Sequence, residues 1–437
     1  MAWTYQKALD YFFSLINYEK DRAQKMAVRN FRLSRVLQYC TVFDNPQQSF
    51  HAVHIAGTKG KGSTAEIICR MIHEHTGECG IFTSPHIHDI RERIRISDRM
   101  ISKKEFTRIA GEIEAAQASG LEKVTYFEAI TIASFLYFRQ QNIQFAVVET
   151  GLGGRLDATN VLAPAVTIIT RIALDHMEIL GDTTIAIAGE KAGIIKKNIP
   201  VILADQDADV LAFLKKNAQE KNAPVTVARD AVRTEWTATG RLSVRTDRCL
   251  YPPAKLYLRG EHQLENVRAA VAALEVLYAQ KYLTVRPQKI AQALSRVIIP
   301  GRFEIACERP CIILDVAHNP HSMESLCRTI KTEFPGKNVT TIFGCLAEKD
   351  YEGMLISLGA VSRDLAVVPV NHPYSANVKD LACLAAAYGR VMEYDSSAAA
   401  FEDILNHASN DDLILITGSF YLVCELRQTA CNPAGTT

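Results

Sequence analysis

The stretch HAVHIAGTKGKGST, residues 51–64, decides the fold. Its first six residues suit one short buried strand, and they run directly into three closely spaced glycines, Gly57, Gly60 and Gly62. From Ser63 to Glu74 the apolar positions return at helical spacing. Strand, glycine loop and helix together form the local context in which backbone N–H groups converge on a phosphate. Glycine removes the side chains that would hold the phosphate off, and the helix N-terminus adds partial positive charge. Thr58 lies within the loop, Lys61 brings a point charge, and Ser63 or Thr64 brings a hydroxyl suited to a magnesium shell. The spacing departs from G-x-x-x-x-G-K-[ST], which requires glycine at 55 and a hydroxyl at 62; the chain has Ile55 and Gly62. A generic GTPase or kinase is therefore disfavoured, and a glycine-rich turn with surface lysines is the plain alternative.

Outward from this stretch, Ile143–Glu149, Ala165–Thr170 and Pro200–Ala204 read as further buried strands with helical segments between them, the rhythm of a parallel α/β sheet. Residues 223–258 carry short alternating runs, Val225–Val227, Arg241–Arg245 and Lys255–Leu258, which predict a small antiparallel β insert. Asn266–Gln280 predicts an apolar helix. A boundary near Ile298–Gly301 divides the chain into residues 1–298 and 299–437. After it the α/β rhythm restarts, with strand candidates Cys311–Asp315, Val339–Phe343, Leu365–Pro369 and Leu413–Thr417. The expected fold class is α/β: a P-loop-type, mainly parallel sheet domain with an antiparallel insert, followed by a smaller Rossmann-like α/β domain. Residues 1–20 predict an amphipathic helix from Trp3, Tyr5, Leu9, Phe12, Phe13 and Ile16, with Asp10 and Glu19 interspersed; residues 432–437 predict a frayed end.

Composition sets the remaining bounds. At roughly 150 residues per domain, 437 residues allow two or three domains. Lys and Arg number 49 against 48 Asp and Glu, so the net charge of +1 gives no reason to expect nucleic acid or an acidic membrane as partner. No apolar run reaches the ~18 residues of a spanning helix; the nearest, Phe127–Phe138, is shorter and interrupted by Glu128, Thr131 and Ser134. Eleven scattered cysteines, an odd number without framework spacing, fit free thiols in a reducing cytoplasm. Cys307 and Cys311 lack a second pair at zinc spacing.

Several polar groups fall at predicted strand ends, where α/β folds bind ligands. Ser84, in Thr83-Ser84-Pro85-His86, follows a short strand, although a plain turn explains it as well. Glu149 ends an apolar strand and precedes the glycine-rich segment 150–160; a magnesium ligand and a solvated strand end are equally good readings. His176 and Lys191 follow the third strand, the lysine between small residues that would admit a modified or pKa-shifted amine, yet structural roles suffice for both. In the second domain Asp315 and His318, Arg302 and Ser419 carry the same ambiguity between site and turn or surface.

Taken in order, AGTKGKGST (56–64), TSPHI (83–87), TYFEA (125–129), ETGLGGRLDATN (149–160), LDHMEILGDT (174–183), GEKAGIIK (189–196), PGRFE (300–304) and DVAHNP (315–320) resemble the folylpolyglutamate synthase / dihydrofolate synthase family of the Mur ligase superfamily. The resemblance implies an ADP-forming ligase that adds L-glutamate to dihydropteroate, to the γ-carboxyl of reduced folates, or to both, through an acyl phosphate. It implies ATP phosphates on Lys61 and its loop, one Mg2+ on Ser84 and Glu149, and a second on His176. It implies a carboxylated Lys191 beside the second ion, and a monovalent cation is also compatible. By the same resemblance Asn266 and Arg302 contact ATP, Asp315 the ribose, and His318 and Ser419 the glutamate side. Thr125, Tyr126, Phe127, Glu128 and Asp157 match pterin-binding segments. Lys61, Lys191 and His318 are the implied catalytic set, and the implied enzyme is a monomer acting on small molecules. One departure bears on substrate binding: family members have Asn-Ile where this chain has Arg171-Ile172. A ligase acting on a cell-wall precursor and a non-catalytic nucleotide-binding module are the alternatives.

Overall fold

The computed structural model describes residues 3–16 and 32–432; Glu19 of the predicted N-terminal helix and the C-terminal residues 433–437 lie outside the described residues. The chain folds as two units. The first holds residues up to Tyr257 together with Glu261–Val297, and the second holds Leu258–Gly260 and the residues from Ile298 onward.

The first unit is built on eight strands: β1 His51–Ala56, β2 Gly80–Phe82, β3 Ile94–Ile96, β4 Arg99–Met100, β5 Phe145–Glu149, β6 Val166–Ile169, β7 Val201–Leu203 and β8 Val225–Val227. Their order is β4-β3-β2-β5-β1-β6-β7-β8. The six from β2 to β8 in that order run parallel, and β3 and β4 add an antiparallel edge. Because helices cover parallel strands on both faces, such strands are apolar throughout; all five residues of β5 are buried. The helix Tyr126–Gln140 is buried on nearly every side, from Tyr126 and Glu128–Phe138. The apolar run at 127–138 is therefore core helix, and among the described residues no helix is long and apolar enough to cross a membrane.

The insert is real, but its strands differ from those expected. A separate antiparallel sheet is formed by β9 Val232–Trp236, β10 Leu242–Thr246 and β11 Leu250–Ala254, in the order β11-β10-β9. Val225–Val227 instead joins the main sheet, parallel to β7, because the helix Ala208–Glu220 returns the chain to the same edge. Lys255–Leu258 forms no strand; the third strand is the preceding Leu-Tyr-Pro-Pro-Ala. It is paired on one side only, which tolerates its two prolines.

The second unit carries β12 Glu304–Glu308, β13 Cys311–Leu314, β14 Val339–Phe343, β15 Asp364–Val367, β16 Arg390–Glu393 and β17 Leu413–Thr417, in the order β12-β13-β17-β14-β15-β16. All neighbours pair parallel except β12 with β13. The sequence pattern misses β12 and β16, edge strands whose half-exposed residues lack an apolar run. The strand expected to reach Pro369 stops at Val367.

Candidate active site

In the first unit the carboxyl ends of four neighbouring parallel strands converge: β2 leads to Ser84, β5 ends on Glu149, β1 opens into the glycine loop, and β6 leads to Thr170 and Arg171. The glycine loop is fixed by its neighbours. The N–H groups of Thr58 and Lys59 both donate to the Arg171 carbonyl, at 2.9 and 3.0 Å. Gly60 has φ +84°, and a Cβ there would stand 2.2 Å from Asn266 Oδ1. Asn266 in turn accepts from the Thr64 hydroxyl at 3.3 Å and donates to Gln263 Oε1 at 2.9 Å. The helix Lys61–Thr76 starts within the loop, so its first N–H groups face the strand ends. Arg171, the departure from the family pattern, thus serves the loop with its main chain, while its guanidinium pairs with Asp207 at 2.7 Å.

Three ionisable groups meet around this loop. Lys61 Nζ lies 3.8 Å from Glu149 Oε1. Glu149 is buried and its Oε2 accepts the Ser84 N–H at 3.3 Å. A Cβ on Gly62 would come within 3.5 Å of that same oxygen, so the missing side chain leaves room at the carboxylate. Lys191 is buried, and its Nζ donates to the Gly57 carbonyl at 2.8 Å. Burial, and then the Lys61 cation, bring its ammonium down from the ordinary lysine range to about 7. His176 caps the short helix Met177–Leu180 in a left-handed conformation (φ +49°), is exposed, and has Asp175 Oδ1 at 3.9 Å from Nε2.

The glycine-rich segment after Glu149 is packed on both sides. A Cβ on Gly151 would stand 2.4 Å from the Phe127 ring, and one on Gly154 would stand 2.8 Å from the Glu190 carbonyl and 3.0 Å from Lys191 Cα. Asp157 is buried and holds the segment: its Oδ2 accepts the N–H groups of Gly151 and Leu152, each at 2.9 Å. Thr125 and Glu128 are engaged with each other as a capping box at the start of the helix Tyr126–Gln140. Glu128 Oε1 also takes two bonds from Arg35, at 2.9 and 3.2 Å, a partner that sequence reading did not single out. Both groups therefore have structural work that the motif does not reveal. Tyr126 lies under the Arg93 guanidinium at 5.4 Å and beside the Phe13 ring at 6.3 Å, and Phe127 packs on Phe82 at 5.8 Å.

In the second unit Asp315 follows β13. Its carboxylate accepts the Phe303 N–H at 2.8 Å and the Ala317 N–H at 2.9 Å. Burial pushes its pKa up, and the Arg302 guanidinium opposes that shift. Glu304 accepts the Gly301 N–H at 2.7 Å and is gripped by Arg427 at 2.7 Å, which fixes the segment bearing the exposed Arg302. His318 Nδ1 faces the Val316 carbonyl at 2.8 Å. Ser419 is buried and caps the helix Phe420–Ala430 by accepting the Leu422 N–H at 3.0 Å, the plainer of the two readings open to it.

The residues expected to hold metal do not form a closed cage, and among the described residues no cluster of three or more His, Cys, Asp or Glu could do so. Magnesium takes one or two carboxylates and completes its shell with phosphate oxygens and water. Glu149, buried at the end of β5, offers one such carboxylate.

Two family models match the chain: the Mur ligase middle domain over residues 55–274 and the Mur ligase glutamate ligase domain over residues 301–420. The dihydrofolate synthase/folylpolyglutamate synthase of Bacillus subtilis is 32% identical over 405 residues, covering 91% of this chain and 94% of its own length. The apo form of L. casei FPGS superposes with a TM-score of 0.85 at 30% identity, covering 98% of this chain and 99% of that one. E. coli FolC in complex with DHPP and ADP gives 0.86 at 28% identity, covering 100% of this chain and 99% of that one. With both Mur ligase domains in order and a relative of this identity along nine-tenths of its length, the chain belongs to the dihydrofolate synthase/folylpolyglutamate synthase family of ATP-dependent amide ligases.

Proposed function

We propose that the protein joins L-glutamate to dihydropteroate, and also to the γ-carboxyl of reduced folates, at the expense of ATP. The observation that carries this reading is the meeting of Lys61, Glu149 and Lys191 at one end of the sheet, with the Gly151–Asp157 segment and Phe127 beside them. The L. casei and E. coli relatives, the latter solved with DHPP and ADP, support it.

In this reading the loop Gly57–Thr64 cradles the ATP phosphates with its N–H groups, and Lys61 neutralises charge at the γ-phosphate. Asn266 steadies the loop, and Arg302 and Asp315 are further candidate nucleotide contacts by family resemblance. The acceptor carboxylate attacks the γ-phosphorus and expels ADP. The glutamate amine then attacks the acyl carbon and phosphate departs with the acceptor's oxygen. This chain contributes mainly position and fixed charge, which are the large terms in phosphoryl transfer. Glu149 with Ser84 would hold one Mg2+, and His176 with Lys191 as its carbamate a second; when bound, these ions neutralise phosphate charge. Burial supports the carbamate assignment, because CO2 adds only to the neutral amine and Lys191 is brought to about 7. Tyr126, Phe127 and the Asp157 segment would take the pterin, and His318 with Ser419 the glutamate.

The test is ADP release in the presence of glutamate, with dihydropteroate and tetrahydrofolate supplied separately. Release with dihydropteroate is expected, with a second activity on tetrahydrofolate. Release only with a nucleotide-linked muramyl peptide would overturn the folate assignment and favour a cell-wall ligase.

A further inference from the structure

His54 lies in the middle of β1, with none of its surface exposed and Lys196 the charged group that bears on it. Its Nε2 is 2.8 Å from Thr159 Oγ1. The Thr159 hydroxyl donates to Asp157 Oδ1 at 2.5 Å, and the Thr159 N–H donates to the same oxygen at 3.0 Å. Asp157 Oδ2 receives Gly151 and Leu152. A buried polar chain thus runs from the strand that opens into the glycine loop to the segment that follows Glu149.

Counting protons fixes its direction. Three main-chain N–H groups and the Thr159 hydroxyl donate to Asp157, an arrangement that suits an acceptor carboxylate and works against the burial that pushes its pKa up. The threonine has one hydroxyl hydrogen, and it goes to Asp157. The hydrogen between His54 and Thr159 must then come from the ring, so Nε2 carries it. Among the described residues Nδ1 has no partner, which matches a neutral ring with a bare Nδ1 and not an imidazolium with a buried, unsatisfied N–H. Burial holds the ring neutral, bringing its pKa down to about 3.

We infer that His54 is a positioning residue for the acceptor half of the reaction: through Thr159 and Asp157 it sets the segment Gly151–Gly154 against Phe127 and Lys191. The inference rests on the folate reading for what that segment binds, but not for the relay itself. The relay ties the strand before the glycine loop to the wall that Gly151 makes with Phe127 and Gly154 makes with Lys191. A plain core histidine would fill volume; this one also decides which way Asp157 can accept.

The experiment compares Thr159→Val, nearly isosteric but without the hydroxyl, with Thr159→Ser, and His54→Leu with His54→Gln, which keeps a donor. Amide hydrogen exchange at Gly151 and Leu152 in substrate-free protein reads the relay; KM for dihydropteroate and for ATP reads its use. Thr159→Val and His54→Leu are expected to speed exchange and to raise KM for dihydropteroate about tenfold, with KM for ATP changed less than about twofold; tenfold corresponds to ~1.4 kcal/mol. Thr159→Ser and His54→Gln are expected to behave as wild type. The 15N spectrum of wild type is expected to show the Nε2–H tautomer at His54, and the Nδ1–H tautomer would overturn the proton order. Unchanged exchange in folded Thr159→Val would overturn the relay while leaving the folate reading intact. Faster exchange in a protein whose wild type ligates no folate would support the relay and overturn the folate reading.

Discussion

Lys61 and Lys191 belong to one cluster but need opposite charge states. Lys61 remains partly accessible beside the Glu149 carboxylate and would, in the proposed chemistry, stabilise phosphate charge; Lys191 is buried and would act there as an amine. Replacing Lys61 by Ala is expected to lower ADP formation by about 10²-fold or more, the scale set by removing one charge-stabilising donor from an active site; steady-state ADP release checks this, with the circular dichroism spectrum unchanged. For Lys191 the sign is set by its lowered pKa. An ordinary lysine is overwhelmingly protonated at neutral pH, whereas one at about 7 is half neutral there. Carbamate on Lys191, read as a 13C signal from labelled bicarbonate, should therefore be strong at pH 8, fall through pH 7 and be lost near pH 6, and be absent in Lys191→Gln. The unfolded chain binds more protons at this site between pH 7 and 10.5, so the site's contribution to stability rises with pH across that window. At this scale the sequence revealed residue types but not their surroundings. Lys191 stood between small neighbours, a usable sign. The one sign for His54 was a polar residue inside an apolar strand, and its partner lies 105 positions away.

Elements hold these residues in place through contacts that motifs do not display. The helix Tyr126–Gln140 begins with Thr125 and Glu128 closing its first turn, and Arg35 binds that same glutamate in the interior. Arg35→Met should destabilise the protein by roughly 3–5 kcal/mol, because it leaves the Glu128 charge buried without its partner, whereas Thr125→Ala should cost about 1 kcal/mol as a lost cap. Urea unfolding of the two variants checks both magnitudes and their order. The glycine loop gives a parallel case. Gly60→Ala meets both a left-handed backbone and the Asn266 oxygen at 2.2 Å, so it should weaken ATP binding by tenfold or more while global stability changes less; isothermal titration with ATP would show it. Strand–loop–helix at residues 51–76 was legible because glycine and apolar periodicity are local signals. The grip of Asn266 and of the Arg171 carbonyl on the loop was not, because both are long-range.

For the molecule as a whole, two α/β sheets account for most of the chain, and their central strands were readable as apolar runs. The elements that escaped were those whose character depends on neighbours: the edge strands β12 and β16, the proline-bearing β11, and β8, whose alternation suited either an antiparallel insert or the edge of a parallel sheet. In the first unit the candidate residues were legible in outline because they sit at successive strand ends; in the second unit the candidate Ser419 also does the work of a helix cap. The central claim is a chemical one: ATP is spent to activate a carboxylate for amide formation with glutamate. It is tested most directly by supplying dihydropteroate labelled with 18O in its carboxylate and following inorganic phosphate by 31P NMR. Passage through an acyl phosphate predicts one 18O in each phosphate released, in step with the dihydrofolate formed. Phosphate released without label, or ADP formed without an amide product, would contradict it.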